Sequence, residues 1–324
     1  VEQIVNAVFL DADSLGPQIT LAPIQGVVSR LDTWPGTAPA DVVGRLQGYQ
    51  IALVNKVVLG ETHFAACPEL KLVAVTATGV NNIDLDAARR HGVRVMNVAG
   101  YGTATVTQHT LALILALATR LVDYVGDVKA GAWQRSETFC LMHRPIIELA
   151  GKTLGIVGYG ELGQGVAALG RALGMRILVA SRPGQPGGEI GGVVRVPWWE
   201  LLPQVDVLSL HCLLTADTRH LIDAESLRAM KNSAFLVNTA RGGLVDEAAL
   251  AEALRTGQIA GAAVDVLSEE PPRHGNPLLA DDIPNLIVTP HSAWASREAR
   301  QRVADMTADN LRRFLADDSP RFIV

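Results

Sequence analysis

The sequence predicts an α/β protein built from two domains, and three observations carry that prediction. The chain has 324 residues, more than one small core uses and enough for two domains of ordinary size. Short β-branched runs alternate with helical segments, the order that produces parallel sheets. A glycine-rich turn, Gly158-Tyr159-Gly160-Glu161-Leu162-Gly163, follows one such run and opens a helix.

Along the first hundred residues, IVNAVFL (4–10), IALVN (51–55), LKLVAVTA (70–77) and VRVMNV (93–98) read as buried strands. Their short length, β-branched content and flanking turn residues support this. Between the last two, Asp84 can open a short helix and Gly92 close it. A long helical stretch follows over about 103–130. It is apolar on more than one face, so it needs cover from two domains or from a second subunit. From 151 to 291 the alternation resumes, with strand-like runs LGIVGYG, RILVAS, VDVLSLHC, AFLVNTA, IAGAAVDV and LIVTPHS. The segment 295–317 reads as one amphipathic helix, and Gly and Pro are densest in the loops 183–192 and 269–277.

Hydrophobic residues make up 48% and charged residues 19%, so there is apolar surface to bury and no case for disorder. The net charge of −5, with acids and bases interspersed, argues against nucleic acid as a partner. Cys67, Cys140 and Cys212 are odd in number and lack a CxxC pair, which predicts neither a disulfide framework nor a metal site and points to a reducing cytoplasm. The opening Val1-Glu2-Gln3 has no basic n-region, so no signal peptide is expected. The most apolar run, LALILALAT (111–119), is about half a membrane span. Flanked by Gln108, His109, Arg120 and Asp123, it reads as a buried helix of a soluble protein with no membrane partner.

The glycine turn has the strand-before, helix-after context of a dinucleotide site. Gly158 would make the tight turn, Gly160 admit a pyrophosphate and Gly163 let helix and strand pack closely. The alternative is a turn that merely packs. A protein that binds NAD usually places an acid at the end of the next strand, to hold the ribose 2′-hydroxyl. Here that strand ends in Ala180, Ser181 and Arg182. The hydroxyl of Ser181 and the donor fork of Arg182 suit a 2′-phosphate, which favours NADP(H) with NAD(H) possible; the alternative is a solvated loop arginine.

Arg241, Glu270 and His291 each follow the carboxyl end of a predicted strand, the edge where open α/β sheets bind ligands. Singly, each has an innocent reading; together, behind a dinucleotide turn, they form a candidate site.

The runs ELAGKTLGIVGYGELG, NTARGGLVDEAALAEAL, GAAVDVLSEEPP and TPHSAWAS resemble the D-isomer-specific 2-hydroxyacid dehydrogenases over nearly the whole chain. ATGVNNIDL (77–85), NVAGYGTATVTQH (97–109), FCL (139–141) and HSAWAS (291–296) are similar to the glycerate dehydrogenases, or hydroxypyruvate reductases, within that family. The resemblance implies two Rossmann-like domains with the active site in the cleft. A flavodoxin-like substrate lobe would hold 1–100 and 292–324, and a doubly wound dinucleotide-binding lobe 101–291. It implies that Arg241 orients the substrate, that His291 is the general acid/base and that Glu270 is its partner. Asp265 would lie near the nicotinamide carboxamide, with Thr239 and Ala240 among the coenzyme contacts. The backbone at Gly79 and Val80 would hold the substrate carboxylate. Trp294 would bound the pocket or else pack under the last helix. No metal is implied, and a homodimer is.

Those roles have a physical basis. Arg241 can bridge the carboxylate and ketone of a 2-oxo acid, and protonated His291 can neutralise the charge that develops on the ketone oxygen. Ionised Glu270 would favour the imidazolium. The expected reaction is reduction of a small 2-oxo acid, hydroxypyruvate or glyoxylate, to the D-2-hydroxy acid. One departure is His211-Cys212-Leu213-Leu214-Thr215, where the family commonly has proline in this run. Formate dehydrogenases resemble a pattern with Gln in place of Glu270. D-3-phosphoglycerate dehydrogenases typically carry a longer tail than a chain ending at Val324 allows. D-3-phosphoglycerate- or D-lactate-type dehydrogenases, and coenzyme-sensing corepressors that share the Arg–Glu–His set, are the alternatives.

Overall fold

The computed structural model describes residues 5–182, 184–318 and 322–324. Ile4 of the first expected strand and Pro183 of the expected Gly/Pro loop lie outside the described residues. The chain separates into two compact units, Val1–Gly102 with Trp294–Val324, and Thr103–Ala293.

In the first unit, strands β1 (Asn6–Phe9), β2 (Arg30–Thr33), β3 (Ile51–Val54), β4 (Leu72–Val75) and β5 (Arg94–Met96) form a parallel sheet in the order β2-β1-β3-β4-β5. Both faces are covered, so the central strands are apolar throughout and alternate residues enter different cores. Phe9, Leu53 and Ala74 join one core with Val303, Ala304 and Leu311 of the helix Arg297–Leu315. Val8, Val54 and Val75 join the other. The helices α1 (Ala22–Gln25), α2 (Val42–Leu46), α3 (Glu61–Ala66) and α4 (Leu85–Arg90) connect the strands. As expected, Asp84 caps α4 by accepting the Ala87 N–H at 2.9 Å, and Gly92 follows its end with φ +67°. Strand β2 was not expected. As an edge strand reading RLDT it carries polar residues that break the apolar signal.

At the end of β1 the buried carboxylate of Asp11 accepts the backbone N–H groups of Asn55 (2.9 Å), Lys56 (2.6 Å) and Val57 (3.1 Å). It thereby fixes the loop after β3, where the strand order reverses. Asp11→Ala leaves three donors without their acceptor and should lower the unfolding free energy by about 2–3 kcal/mol in urea titrations. A loss below about 0.5 kcal/mol would show that water replaces the carboxylate.

The second unit opens with α5 (Thr103–Thr119) and α6 (Leu121–Lys129), not with one continuous helix. The break is at Arg120, left-handed at φ +55°, whose guanidinium pairs with Asp123 at 2.8 Å. Neither Gly nor Pro marks the position. The sheet runs β13-β12-β11-β10-β6-β7-β9-β8, with β6 (Thr153–Val157), β7 (Arg176–Ala180), β8 (Gly188–Ile190), β9 (Val193–Val196), β10 (Val207–Leu210), β11 (Phe235–Asn238), β12 (Gly261–Val264) and β13 (Leu286–Val288). Only the β8–β9 pair is antiparallel among the described residues. That hairpin grows out of the Gly/Pro-rich segment, where turn residues hid it. From β9 to β13 the order is the doubly wound one, reversing between β6 and β10. Between the strands lie α7 (Glu161–Ala172), α8 (Trp198–Leu201), α9 (Ala224–Ala229) and α10 (Glu247–Arg255). The last helix, α11 (Arg297–Leu315), belongs to the first unit. Helices α5 and α7 bury Leu113, Leu117, Val166 and Ala167 against Ile156, Val179 and Val237 of the sheet.

Candidate functional site

Parallel pairing places the carboxyl ends of β6, β7, β10, β11, β12 and β13 on one edge of the second sheet. The glycine turn leaves β6 on that edge, and its three glycines answer to different constraints. Gly158 has φ +92°, and a Cβ there would stand 2.6 Å from the backbone of His211 and Cys212. A Cβ at Gly163 would stand 2.1 Å from the Gly158 carbonyl oxygen. Both are required by the chain's own packing. Gly160 would meet nothing within 4 Å, so its lack of a side chain leaves room for a ligand. It is also the N-cap of α7 and offers no side-chain cap, so the first-turn N–H groups lack that partner. These residues fit a pyrophosphate. Tyr159 packs partly on the core, exposed Glu161 accepts the Thr103 hydroxyl at 3.1 Å, and Leu162 is half-buried.

Ser181 and Arg182 follow β7 on the same edge. The Ser181 N–H donates to Val196 O at 2.9 Å and its hydroxyl to Pro186 O at 3.3 Å. Arg182 is exposed and makes no ion pair among the described residues.

Arg241, Glu270 and His291 come from three loops that leave three neighbouring strands, β11, β12 and β13. His291 Nδ1 lies 2.6 Å from Glu270 Oε2, and Glu270 Oε1 accepts the Leu267 N–H at 2.9 Å. One carboxylate oxygen thus holds the loop while the other meets the imidazole. The Arg241 guanidinium donates to Ala240 O at 2.7 Å and faces no carboxylate among the described residues, which leaves donors for a ligand. Its backbone is fixed by Asn238, whose amide donates to Arg241 O (2.9 Å) and accepts from the Ala240 N–H (3.0 Å).

His291 is left-handed at φ +52°, an uncommon conformation for a residue with a Cβ. Asp265, only 1% exposed, holds it there. Its carbonyl accepts the His291 N–H at 2.8 Å, and its carboxylate accepts the Ser292 and Ala293 N–H groups, each at 2.9 Å, and the Thr289 hydroxyl at 2.6 Å. His109 on α5, which the sequence reading did not place in the site, adds its Nε2 at 3.2 Å from Thr289 Oγ1 and 3.6 Å from Asp265 Oδ1. Thr239 is buried against Thr110 at 2.9 Å, and Ala240 packs on the core. At the end of β10, His211 Nε2 meets Ser209 Oγ at 2.8 Å while Nδ1 is buried without a partner among the described residues. Burial pushes this imidazole down to about 4, so it is neutral at pH 7.

Gly79, Val80 and Trp294 lie in the first unit. Gly79 and Val80 follow β4, and the Trp294 ring packs edge-on against Tyr101 at 6.3 Å.

A doubly wound sheet with an open glycine turn, and an imidazole–carboxylate pair and an arginine on loops from neighbouring strands, has the make-up of a dinucleotide-dependent dehydrogenase unit. Residues 111–293 match the family described as D-isomer specific 2-hydroxyacid dehydrogenase, NAD binding domain. The chain is 45% identical over 312 residues to a glycerate dehydrogenase of Methylorubrum extorquens, covering 96% of each. It is 37% identical over 275 residues to a hydroxypyruvate reductase of Blautia hydrogenotrophica, covering 85% of each. A solved structure of a protein from Thermus thermophilus aligns with TM-score 0.83 and 33% identity over 99% of this chain and 100% of that one. An acyclic imino acid reductase, solved with NADPH and D-Arg, aligns with TM-score 0.84 and 25% identity over 99% and 100%. The chain belongs to the D-isomer specific 2-hydroxyacid dehydrogenase family. It is a nicotinamide-dependent oxidoreductase of that family. Among the described residues, no helix is long and apolar enough to cross a membrane.

The two kinds of glycine separate experimentally. Gly160→Ala should keep the melting temperature of the parent and weaken coenzyme binding at least about ten-fold by calorimetry. Gly163→Ala should destabilise the fold itself, by about 2 kcal/mol or more. Unchanged binding by Gly160→Ala would remove the pyrophosphate from this turn.

Proposed function

We propose that the protein reduces hydroxypyruvate or glyoxylate to the D-2-hydroxy acid and uses NADPH in preference to NADH. The observation that carries the reaction is the His291–Glu270 pair at 2.6 Å, with the donor fork of Arg241 leaving the same sheet edge. When bound, the reduced coenzyme supplies the hydride that the oxo carbon accepts. Arg241 bridges the substrate carboxylate and oxo oxygen, which fixes the carbon that reacts. His291, protonated, donates its proton to the oxo oxygen as negative charge develops there, a contribution of roughly 10²–10⁴-fold. Glu270 holds the ring in place through its contact with Nδ1 at 2.6 Å. In the oxidative direction, neutral His291 takes the hydroxyl proton.

The reading also assigns Gly79 and Val80 to the substrate carboxylate and Trp294 to the boundary of the substrate pocket. Thr239, Ala240 and Asp265 go to the coenzyme, and Ser181 with Arg182 to the 2′-phosphate. A carboxylate at position 181 would repel that phosphate, and none is present. Small 2-oxo acids are favoured because the curated relatives quoted above are named for glycerate and hydroxypyruvate. A cytoplasmic location, from the cysteine usage, belongs to the same reading.

A homodimer is proposed from an apolar surface on the second unit. Leu121, Val122 and Val125 on α6 are exposed, as are Phe139, Met142 and Ile146 in the segment that follows. So much exposed apolar surface on consecutive elements suits a second copy of the chain.

Initial rates should give kcat/KM for hydroxypyruvate at least about ten-fold higher with NADPH than with NADH, a difference of about 1.4 kcal/mol. Arg182→Ala should remove most of that preference, and His291→Asn should lower kcat by a factor of about 10² or more. A ten-fold preference for NADH would overturn the 2′-phosphate assignment. Failure of every 2-oxo acid to turn over, with coenzyme still bound, would overturn the reaction. In sedimentation velocity the protein should run as a dimer and Val125→Asp as a monomer, with a parent that runs as a monomer refuting the interface.

A further inference from the structure

We propose that Glu247 is a positioning residue that sets the geometry of Glu270, and so of His291, without touching either. The inference rests on the function proposed above. Glu247 opens α10, where an acid favours the helix dipole, yet Asp246 already caps that helix by accepting the Ala248 and Ala249 N–H groups at 3.1 Å each. The Glu247 carboxylate is directed elsewhere. Oε1 accepts the Ser268 N–H at 2.7 Å, and Oε2 accepts the Ser268 hydroxyl at 2.5 Å and the Asn276 amide at 2.8 Å. Ser268 and Asn276 stand on either side of Glu270 in the loop after β12. One carboxylate therefore ties together the positions that flank Glu270 in that loop.

The same peptide is gripped from the other side. A Cβ at Gly242 would stand 2.0 Å from the Leu267 carbonyl carbon and 2.4 Å from Ser268 N, so the Arg241 loop and the Glu270 loop are in backbone contact. Leu267 in turn donates its N–H to Glu270 Oε1. The chain of contact runs from Glu247 through Ser268 and Leu267 to Glu270, and from there to His291 Nδ1. The run from Arg241 to Glu247 thus presents the guanidinium at one end and the clamp for its partner acid at the other. Only a carboxylate accepts from all three donors; a Gln amide would turn a donor toward one of them. Holding an acid/base pair within a few tenths of an ångström needs such a supporting shell.

The test combines kinetics of hydroxypyruvate reduction with hydrogen–deuterium exchange of the full-length protein. Glu247→Ala should lower kcat about ten-fold, leave the KM for coenzyme unchanged and speed amide exchange across 265–276. In a Glu270→Gln background the same substitution should change kcat less than about two-fold, because the residue it acts through is gone. Glu247→Gln, which keeps the shape of the side chain, should fall between parent and Glu247→Ala and serves if the alanine variant folds poorly. Equal losses in both backgrounds, or parent-like exchange across 265–276, would overturn the proposal. If the parent itself turns over no 2-oxo acid, the function proposed above fails, and the exchange measurement alone decides whether the clamp exists.

Discussion

Parallel pairing of the second sheet is the constraint on which the site depends. Because β6, β7, β10, β11, β12 and β13 run in one direction, the loops that carry the glycine turn, Ser181, Arg241, Glu270 and His291 leave from one edge. The order reverses between β6 and β10, and the glycine turn leaves the sheet at that reversal. The pairing also separates two tasks along that edge. The glycine turn and Ser181 follow β6 and β7, whereas Arg241, Glu270 and His291 follow β11, β12 and β13.

Within that frame the chemical groups are held by backbone hydrogen bonds more than by side-chain packing. Asn238 pins the Arg241 turn, Leu267 the Glu270 carboxylate, and Asp265 the loop of His291. A left-handed histidine is a strained state that persists only where its surroundings over-determine it. The buried Asp265 carboxylate, with Thr289, Ser292 and Ala293 as donors, does so here. A buried carboxylate is costly unless it is hydrogen-bonded, and these same bonds satisfy it.

Much of this was legible in the sequence for a physical reason. Central strands of a parallel sheet are buried on both faces, so IALV, LVAV, VLSL and FLVN are apolar or nearly so without interruption. Asp84 and Gly92 marked α4 because caps are local chemistry. The edge strand β2 and the β8–β9 hairpin were hidden by polar residues and by turn-forming composition, and the left-handed turn at Arg120 has no marker residue. In the site, the glycine turn, Arg241, Glu270 and His291 stood in dense motifs after strand-like runs. His109 near Asp265, and Glu247 beneath Ser268 and Asn276, were invisible, because each joins segments far apart in the chain. Only tertiary approach shows what such a side chain serves.

The two ends of the sheet edge obey different electrostatics. Glu270 and His291 are each about one-third exposed, meet at 2.6 Å and sit on loops clamped by backbone contact, so their interaction depends on geometry. Arg182, by contrast, is exposed on a loop rich in glycine and proline, where water and salt screen a lone charge. A charge placed there puts little demand on the fold. The segment after β7 can therefore be substituted at low structural cost, while the Glu270–His291 pair is tied to the backbone contacts beneath it. The serine and arginine after β7 and the clamped loop after β12 are the two extremes of that arrangement.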